Sequence, residues 1–382
     1  MKKPAPVHIL ISSTKNTADI RYLCGAEPPE TAVLIQEGVR GTLVVSEMEY
    51  NRLRRSVKSG ITVVHPEMIG SSWKKGPADW IKKSTDSKNL TVSADFPLGL
   101  AEKLRRAGFK LKISEDAVCP PREIKNDDEV SAVQNSQRAA VAAMNAAIKQ
   151  IASSEIGKDG ILCCGKTILT SEMVRATICH TLLDLDCVAL ETIVACGPHS
   201  ADPHERGFGP LRAGQPIVLD IFPRSGTSGY WGDITRTVCR GPATAELKKM
   251  YNAVQAAQAA ALKAVQAGAW TDDVHAAAAG ELDRRGYKTE TINGRPQGFI
   301  NGTGHGVGLE IHEAPRVSSA VHKKLRAGNI ITIEPGLYYP DLGGIRIEDT
   351  ILVTKDGYQM LAPCPKHFEI GNQRRKLWKN HK

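Results

Sequence analysis

Short apolar runs separated by stretches of helical spacing fill the first third of the chain. Val7–Ser12, Thr31–Gln36, Gly41–Ser46, Ile61–His65, Leu90–Ala94 and Phe109–Ile113 are the runs that predict strands. Glu47–Lys58 and Leu98–Ala107 place apolar residues on one helical face and predict helices. The pattern describes an α/β unit of its own, with no His, Asp and Glu cluster of catalytic appearance. Two prolines in Cys119-Pro-Pro-Arg122 mark its end.

The pattern then lengthens. A long Ala-rich helix is predicted over Asp127–Ser153, with Asp127 or Asp128 as its cap. A second helix starts near Thr170-Ser-Glu172, and strands follow at Val188–Cys196, Pro216–Phe222 and Trp231–Cys239. The same order recurs. A long Ala-rich helix spans Thr244–Ala267, and a shorter one starts at Thr271-Asp-Asp273, where the hydroxyl before acidic residues predicts another cap. Strands come again at Asn329–Tyr339 and Gly344–Thr354. This is the pattern of an internal duplication, whose two halves would bring their residues to one central sheet.

Length and composition narrow the class. A chain of 382 residues favours two or three domains. No apolar run reaches the length of a membrane span, and His8–Ser12 is too short for a signal-peptide core. Nine cysteines, with no Cys-x-x-Cys pair, predict small buried hydrophobes in a reducing cytoplasm. The net charge of +9 raises nucleic acid as a partner. Over half of it lies in Lys366–Lys382, where Lys366, Arg374, Arg375, Lys376, Lys379 and Lys382 face one acid, Glu369. That is a solvated basic tail with one Trp, Trp378, rather than a nucleic-acid module.

Five residues at strand ends and glycine turns carry candidate chemistry: Asp220, Asp233, His305, Glu334 and Glu348. Four carboxylates and an imidazole suit two hard or borderline divalent ions. Asp220 closes the run Pro216-Ile-Val-Leu-Asp220. Asp233, Thr235 and Thr237 share one strand face, so Thr235 can hydrogen-bond a ligating carboxylate. His305 is ringed by glycines in Gly302-Thr-Gly-His-Gly-Val-Gly308. Pro335 holds Glu334 in extended backbone. Arg346 and Glu348 point to one face, so Arg346 can orient the carboxylate, bind substrate, or form a surface ion pair of little worth. His204 and His312 lie close in sequence to these motifs.

Asp220, the Asp-Ile-Thr-Arg-Thr237 run, Gly-His-Gly-Val-Gly-Leu-Glu-Ile-His312, Glu-Pro-Gly336 and Arg-Ile-Glu-Asp349 together resemble the aminopeptidase P / prolidase / methionine aminopeptidase family. The resemblance covers about Arg122 to Cys364. It implies a pseudo-symmetric pita-bread α/β domain over 122–365. Ala18-Asp-Ile-Arg-Tyr-Leu23 resembles the creatinase/aminopeptidase P N-terminal domain, which would occupy 1–121, leaving 366–382 as the basic tail. By resemblance Asp220 would chelate one ion, and His305 and Glu334 the other, with Asp233 and Glu348 bridging. Mn, Co or Zn would serve, Mn first. A hydroxide between the ions would attack the amide carbonyl before proline in short peptides, with Glu334 shuttling the proton. His204, His312, Arg346 and Tyr230 would contact substrate or steady the intermediate. A homodimer is implied.

One departure stands out. The segment between Asp220 and Asp233 is longer than the family's usual hairpin, and its Pro223-Arg224 adds a basic contact expected near the site. Two other readings stay open at this point. One is a relative acting on a small non-peptide, as an amidohydrolase or lyase; the other is a non-catalytic binding homologue.

Overall fold

A computed structural model describes residues 6–12, 17–114 and 119–371. The expected tail from residue 372 onward, including Arg374, Arg375, Lys376, Trp378, Lys379 and Lys382, lies outside the described residues. The chain divides into two compact units, Met1–Arg122 and Glu123–Lys382.

The first unit is a six-stranded sheet. Its strands are β1 (Val7–Ile11), β2 (Val33–Glu37), β3 (Arg40–Val44), β4 (Ile61–Val64), β5 (Asn89–Val92) and β6 (Lys110–Ile113), in the order β4-β3-β2-β1-β5-β6. Only β2 runs against the others. Strand side chains alternate between faces, and here both faces are covered. Ile9, Ile11, Val33 and Ile35 join a core around Trp80 and Phe96, while Leu10 and Leu34 join one around Ile20 and Leu53. Burial on both faces is why these strands read as continuous apolar runs. Helices α1 (Thr17–Cys24), α2 (Glu47–Leu53), α3 (Pro77–Ser84) and α4 (Leu98–Arg106) pack around the sheet. The sequence pattern missed α1 and α3, each eight residues long. Arg122 closes the unit with an ion pair to Asp19 of α1, at 2.5 Å.

The second unit has two similar halves. In the first, α5 (Asp127–Ser153) and α6 (Ser171–Leu183) cover β7 (Ile193–Cys196), β8 (Ile217–Ile221) and β9 (Ile234–Arg240). In the second, α7 (Ala245–Ala264) and α8 (Thr271–Arg284) cover β10 (Gly304–Gly306), β11 (Glu313–Val317), β12 (Ile330–Ile333), β13 (Gly336–Tyr339), β14 (Gly343–Arg346), β15 (Asp349–Thr354) and β16 (Gly357–Met360). Alanines at helical spacing let each long helix lie close on its sheet: Ala139, Ala140, Ala143 and Ala147 in α5, and Ala253, Ala257 and Ala261 in α7.

Several expectations change here. The cap of α5 is Asn126, not Asp127 or Asp128. Its side chain accepts the Glu129 N–H, and the Glu129 carboxylate accepts the Asn126 N–H, each at 3.0 Å, forming a capping box worth about 1 kcal/mol. Thr170 and Thr244 cap α6 and α7. Thr271 does not cap α8, because its buried hydroxyl is taken by the backbone of Val321 and Lys323. The halves do not share one hydrogen-bonded sheet. They form sheets of four and five strands and a separate β13–β14 ribbon. The predicted strand through Glu334 breaks because Pro335 has no N–H to continue a ladder.

At the seam, the Glu348 N–H donates to the Thr235 carbonyl at 3.1 Å, and the Thr237 hydroxyl bonds both backbone groups of Arg346. Residues 366–371 are not a solvated end. Lys366 pairs with Asp349 at 2.6 Å, Phe368 stacks on Tyr251, and Glu369–Ile370 (β17) pairs with β9. Apolar Phe368 and Ile370, interleaved with the charges, anchor this stretch. All nine cysteines are free, six of them buried. Among the described residues no helix is long and apolar enough to cross a membrane.

Candidate metal centre

The five candidate ligands converge from both halves. Asp220 lies in β8, Asp233 just before β9, His305 within β10, Glu334 just after β12, and Glu348 between β14 and β15. All five line one cavity of about 260 Å³, together with His204, His312 and Arg346. Asp233, His305 and Glu348 offer ligand atoms within 4.8 Å of one another. The His305 Nε2 lies 3.2 Å from Glu334 Oε1 and 3.6 Å from Asp233 Oδ2. Its Nδ1 faces the Gly306 carbonyl at 3.1 Å, which can only accept, so Nδ1 carries a proton.

The glycines around His305 are required by close backbone approach. A Cβ at residue 304 would meet the Thr332 carbonyl oxygen at 1.9 Å, and one at residue 306 would meet the Ala314 carbonyl oxygen at 2.4 Å. The strand is thus clamped on two sides, and the imidazole is held by its backbone.

Each carboxylate has a fixed neighbour. The Thr235 hydroxyl donates to Glu348 Oε2 at 2.7 Å, and Arg346 Nη2 donates to Asp220 Oδ2 at 2.6 Å. Arg346 also donates to the Tyr338 hydroxyl at 2.7 Å and to Thr235 Oγ1 at 3.2 Å. At 4% exposure it is no surface ion pair, and its carboxylate partner is Asp220 rather than Glu348. Gln137 of α5 holds the backbone of Asp233 from both sides, accepting its N–H at 2.7 Å and donating to its carbonyl at 2.8 Å. Arg236 and Asp349 form a buried pair at 2.6 Å beneath the site.

Crowding sets the protonation of the set. Burial, then the charges of Glu348 and Asp220, push the Asp233 carboxyl well above its usual range. Burial and the charges of Glu334 and Asp220 do the same to Glu348. Asp220 is raised by burial despite Arg346. Burial also acts to raise Glu334, but the hydrogen bond and charge of His305 outweigh it, and Glu334 lies low. His312 stands edge-on to His305, with ring centres 4.3 Å apart; burial and then that neighbour lower it to about 4.

These residues fit a divalent metal. Four carboxylates face one imidazole and one guanidinium, and Asp220 Oδ1 is buried without a hydrogen-bond partner. Buried carboxylates so arranged call for a cation.

Two expected residues lie elsewhere. Tyr230 is outside the cavity lining; its hydroxyl donates to Glu129 at 2.8 Å and it packs beside Val133. Arg224 turns back on the long 220–233 connection, donating to the Gly229 carbonyl at 3.2 Å, while Phe222 from that connection reaches the cavity. Gln137 and Tyr338 escaped the sequence reading. An amide on the alanine face of α5 was the available sign for Gln137; Tyr338 had none.

The chain is similar to known proteins. Residues 131–355 match the metallopeptidase family M24. The chain is 32% identical over 363 residues to the Xaa-Pro dipeptidase of Pyrococcus horikoshii, covering 94% of this chain and 93% of that one. It is 31% identical over 353 residues to the Xaa-Pro dipeptidase of Pyrococcus furiosus, covering 92% of each. The solved prolidase from Pyrococcus furiosus superposes with a TM-score of 0.79 at 26% identity, over 95% of this chain and 97% of that one. The mixed α/β pita-bread fold expected from the sequence is therefore the one observed. With more than half its length matched by the family and a relative 32% identical over 94% of it, the chain belongs to the metallopeptidase family M24.

Proposed function

We propose that this chain is a metal-dependent peptidase that hydrolyses the bond preceding proline in short peptides. The convergence of Asp220, Asp233, His305, Glu334 and Glu348 in one cavity carries the reading, and the names of its Pyrococcus relatives support the bond specificity. Asp220 would hold one ion, His305 and Glu334 a second, and Asp233 and Glu348 both. Two such ions, Mn first and Co or Zn as alternatives, supply a hydroxide nucleophile at neutral pH and polarise the scissile carbonyl.

The protein groups do the rest. Glu334, ionised beside His305, takes a proton from the attacking water and returns it to the leaving nitrogen. His312, lowered to about 4 and so neutral at pH 7, offers a ring N–H to the oxyanion without adding charge. His204 also lines the cavity and would steady the residue after the scissile bond. Arg346 acts through Asp220 as a positioning residue. A cavity of about 260 Å³ favours dipeptides and tripeptides over long chains. The nine free thiols support a reducing, cytoplasmic setting, and a homodimer belongs to the same reading.

The test is steady-state hydrolysis of a matched Xaa-Pro and Xaa-Pro-Yaa pair, with each of Mn, Co and Zn, beside Asp233→Ala. Cleavage of either peptide by the native chain and none by the variant supports the reading. No cleavage with any of the three metals sinks it.

A further inference from the structure

The first unit carries its own cluster of ligating side chains. Five of its six strands run the same way, so their carboxyl ends share one edge. Open α/β sheets bind ligands at that edge. Ser46 and Glu47 follow β3, and His65, Pro66 and Glu67 follow the adjacent parallel strand β4. Glu47, His65 and Glu67 offer ligand atoms within 4.8 Å of one another, and His65 Nδ1 lies 3.9 Å from Glu47 Oε1.

Three observations point to an occupant. A cavity of about 730 Å³ opens at this edge, lined by Glu30, Glu47 and Glu67, with no Lys or Arg among its lining residues. Ser46, at 7% exposure, lines it, yet its Oγ has no hydrogen-bond partner and does not cap α2, although Ser46 stands at the cap position. His65 Nδ1 is likewise buried and unpartnered. A buried hydroxyl and a buried ring nitrogen without partners are costly; Ser46 lines the acidic cavity, and the His65 imidazole stands by Glu47 and Glu67, which line it.

We propose that Glu47, His65 and Glu67 form a metal site in the first unit, taking a borderline divalent ion of the zinc class. Zn–N and Zn–O bonds are about 2.0–2.2 Å, so two tetrahedral donors lie about 3.4 Å apart. The observed spacing closes to that value by small rotations of the two glutamates, both exposed and free to turn. One imidazole with two carboxylates selects zinc, cobalt or nickel over calcium and magnesium. Three protein ligands leave a fourth position for water or a bound molecule, and Ser46 lines the same cavity as Glu47 and Glu67. The site uses no residue of the peptidase centre.

Metal counting on the full-length protein tests this. The chain is stripped with chelator, equilibrated with Zn²⁺ alone and counted after gel filtration, as native protein, His65→Ala, Glu67→Gln and Asp233→Ala. His65→Ala and Glu67→Gln are each expected to bind one equivalent fewer than native protein, with unchanged peptide hydrolysis. Adding His65→Ala to Asp233→Ala should remove a further equivalent. Glu67 is exposed, so its variant keeps the fold even if His65→Ala does not. Equal counts in native protein and Glu67→Gln, at every zinc concentration tried, would overturn the proposal. The readout is metal content rather than turnover, so its failure is separable from failure of the peptidase reading.

Discussion

Arg346 Nη2 donates to Asp220 Oδ2 at 2.6 Å, with both side chains largely buried, and so joins the two halves of the second unit through a candidate ligand. Asp220 comes from β8 in the first half and Arg346 from β14 in the second. Removing one member of a buried pair leaves the other charged and unpaired, at about 3–5 kcal/mol. Arg346→Met should therefore lower the melting temperature as well as activity. Arg346→Lys restores charge but not the fork that also reaches Tyr338 and Thr235, so it should recover stability more than turnover. Calorimetry and kcat on the two variants check this; equal kcat in Arg346→Lys and native protein would remove the positioning role.

Thr235 donates its hydroxyl proton to Glu348 and accepts from Arg346. Thr235→Val keeps the shape and deletes both bonds. Groups that orient ligands are worth about 10–100-fold in metal affinity or activity. A drop of that size in Mn affinity is expected, with Thr235→Ser near native. Titration calorimetry on the two variants separates the hydroxyl from the methyl.

Gln137 satisfies both backbone groups of buried Asp233. Gln137→Leu leaves an N–H and a carbonyl with one partner fewer, and each buried unsatisfied group costs about 1–3 kcal/mol. The carbonyl keeps its bond from Thr350 at 2.7 Å, so the loss should sit at the low end for that group. A denaturant midpoint shift equivalent to about 2–4 kcal/mol is expected; no shift would mean that the clamp is not stabilising.

Asp233 and Glu348 are raised well above the usual carboxylate range by burial and the neighbouring carboxylates in the metal-free site. Raised carboxyls hold protons that a bound cation must displace. Metal uptake at neutral pH should therefore release protons, and apparent affinity should rise with pH until the carboxyls are ionised. Calorimetric titrations in buffers of different ionisation enthalpy measure the number released. Heats independent of the buffer would contradict the protonation assigned to the site.

Much of the candidate centre is legible along the chain because its polar residues at strand ends interrupt apolar runs. Asp220 ends one run, and Glu334 and Glu348 sit where strands break. His305 was visible through its glycines, which the backbone contacts of residues 304 and 306 now explain. The partners were less legible. Arg346 was read beside Glu348, two residues away on one face, yet it holds Asp220 across the fold. The resemblance places Tyr230, three residues before Asp233, at the substrate, yet its hydroxyl goes to Glu129. Closeness along a connection that turns back on itself does not fix where a side chain points.

Period by itself determined most of the strands and the repeated helix order, and polar residues that break apolar runs marked the five candidate ligands, since burial imposes a spacing that shows in the residues. Tertiary structure alone decided which carboxylate each donor serves, that Gln137 grips Asp233, and that β3 and β4 bring Glu47, His65 and Glu67 together. Those pairings join residues separated by as many as 126 positions, and no local spacing encodes a contact made only when distant segments pack.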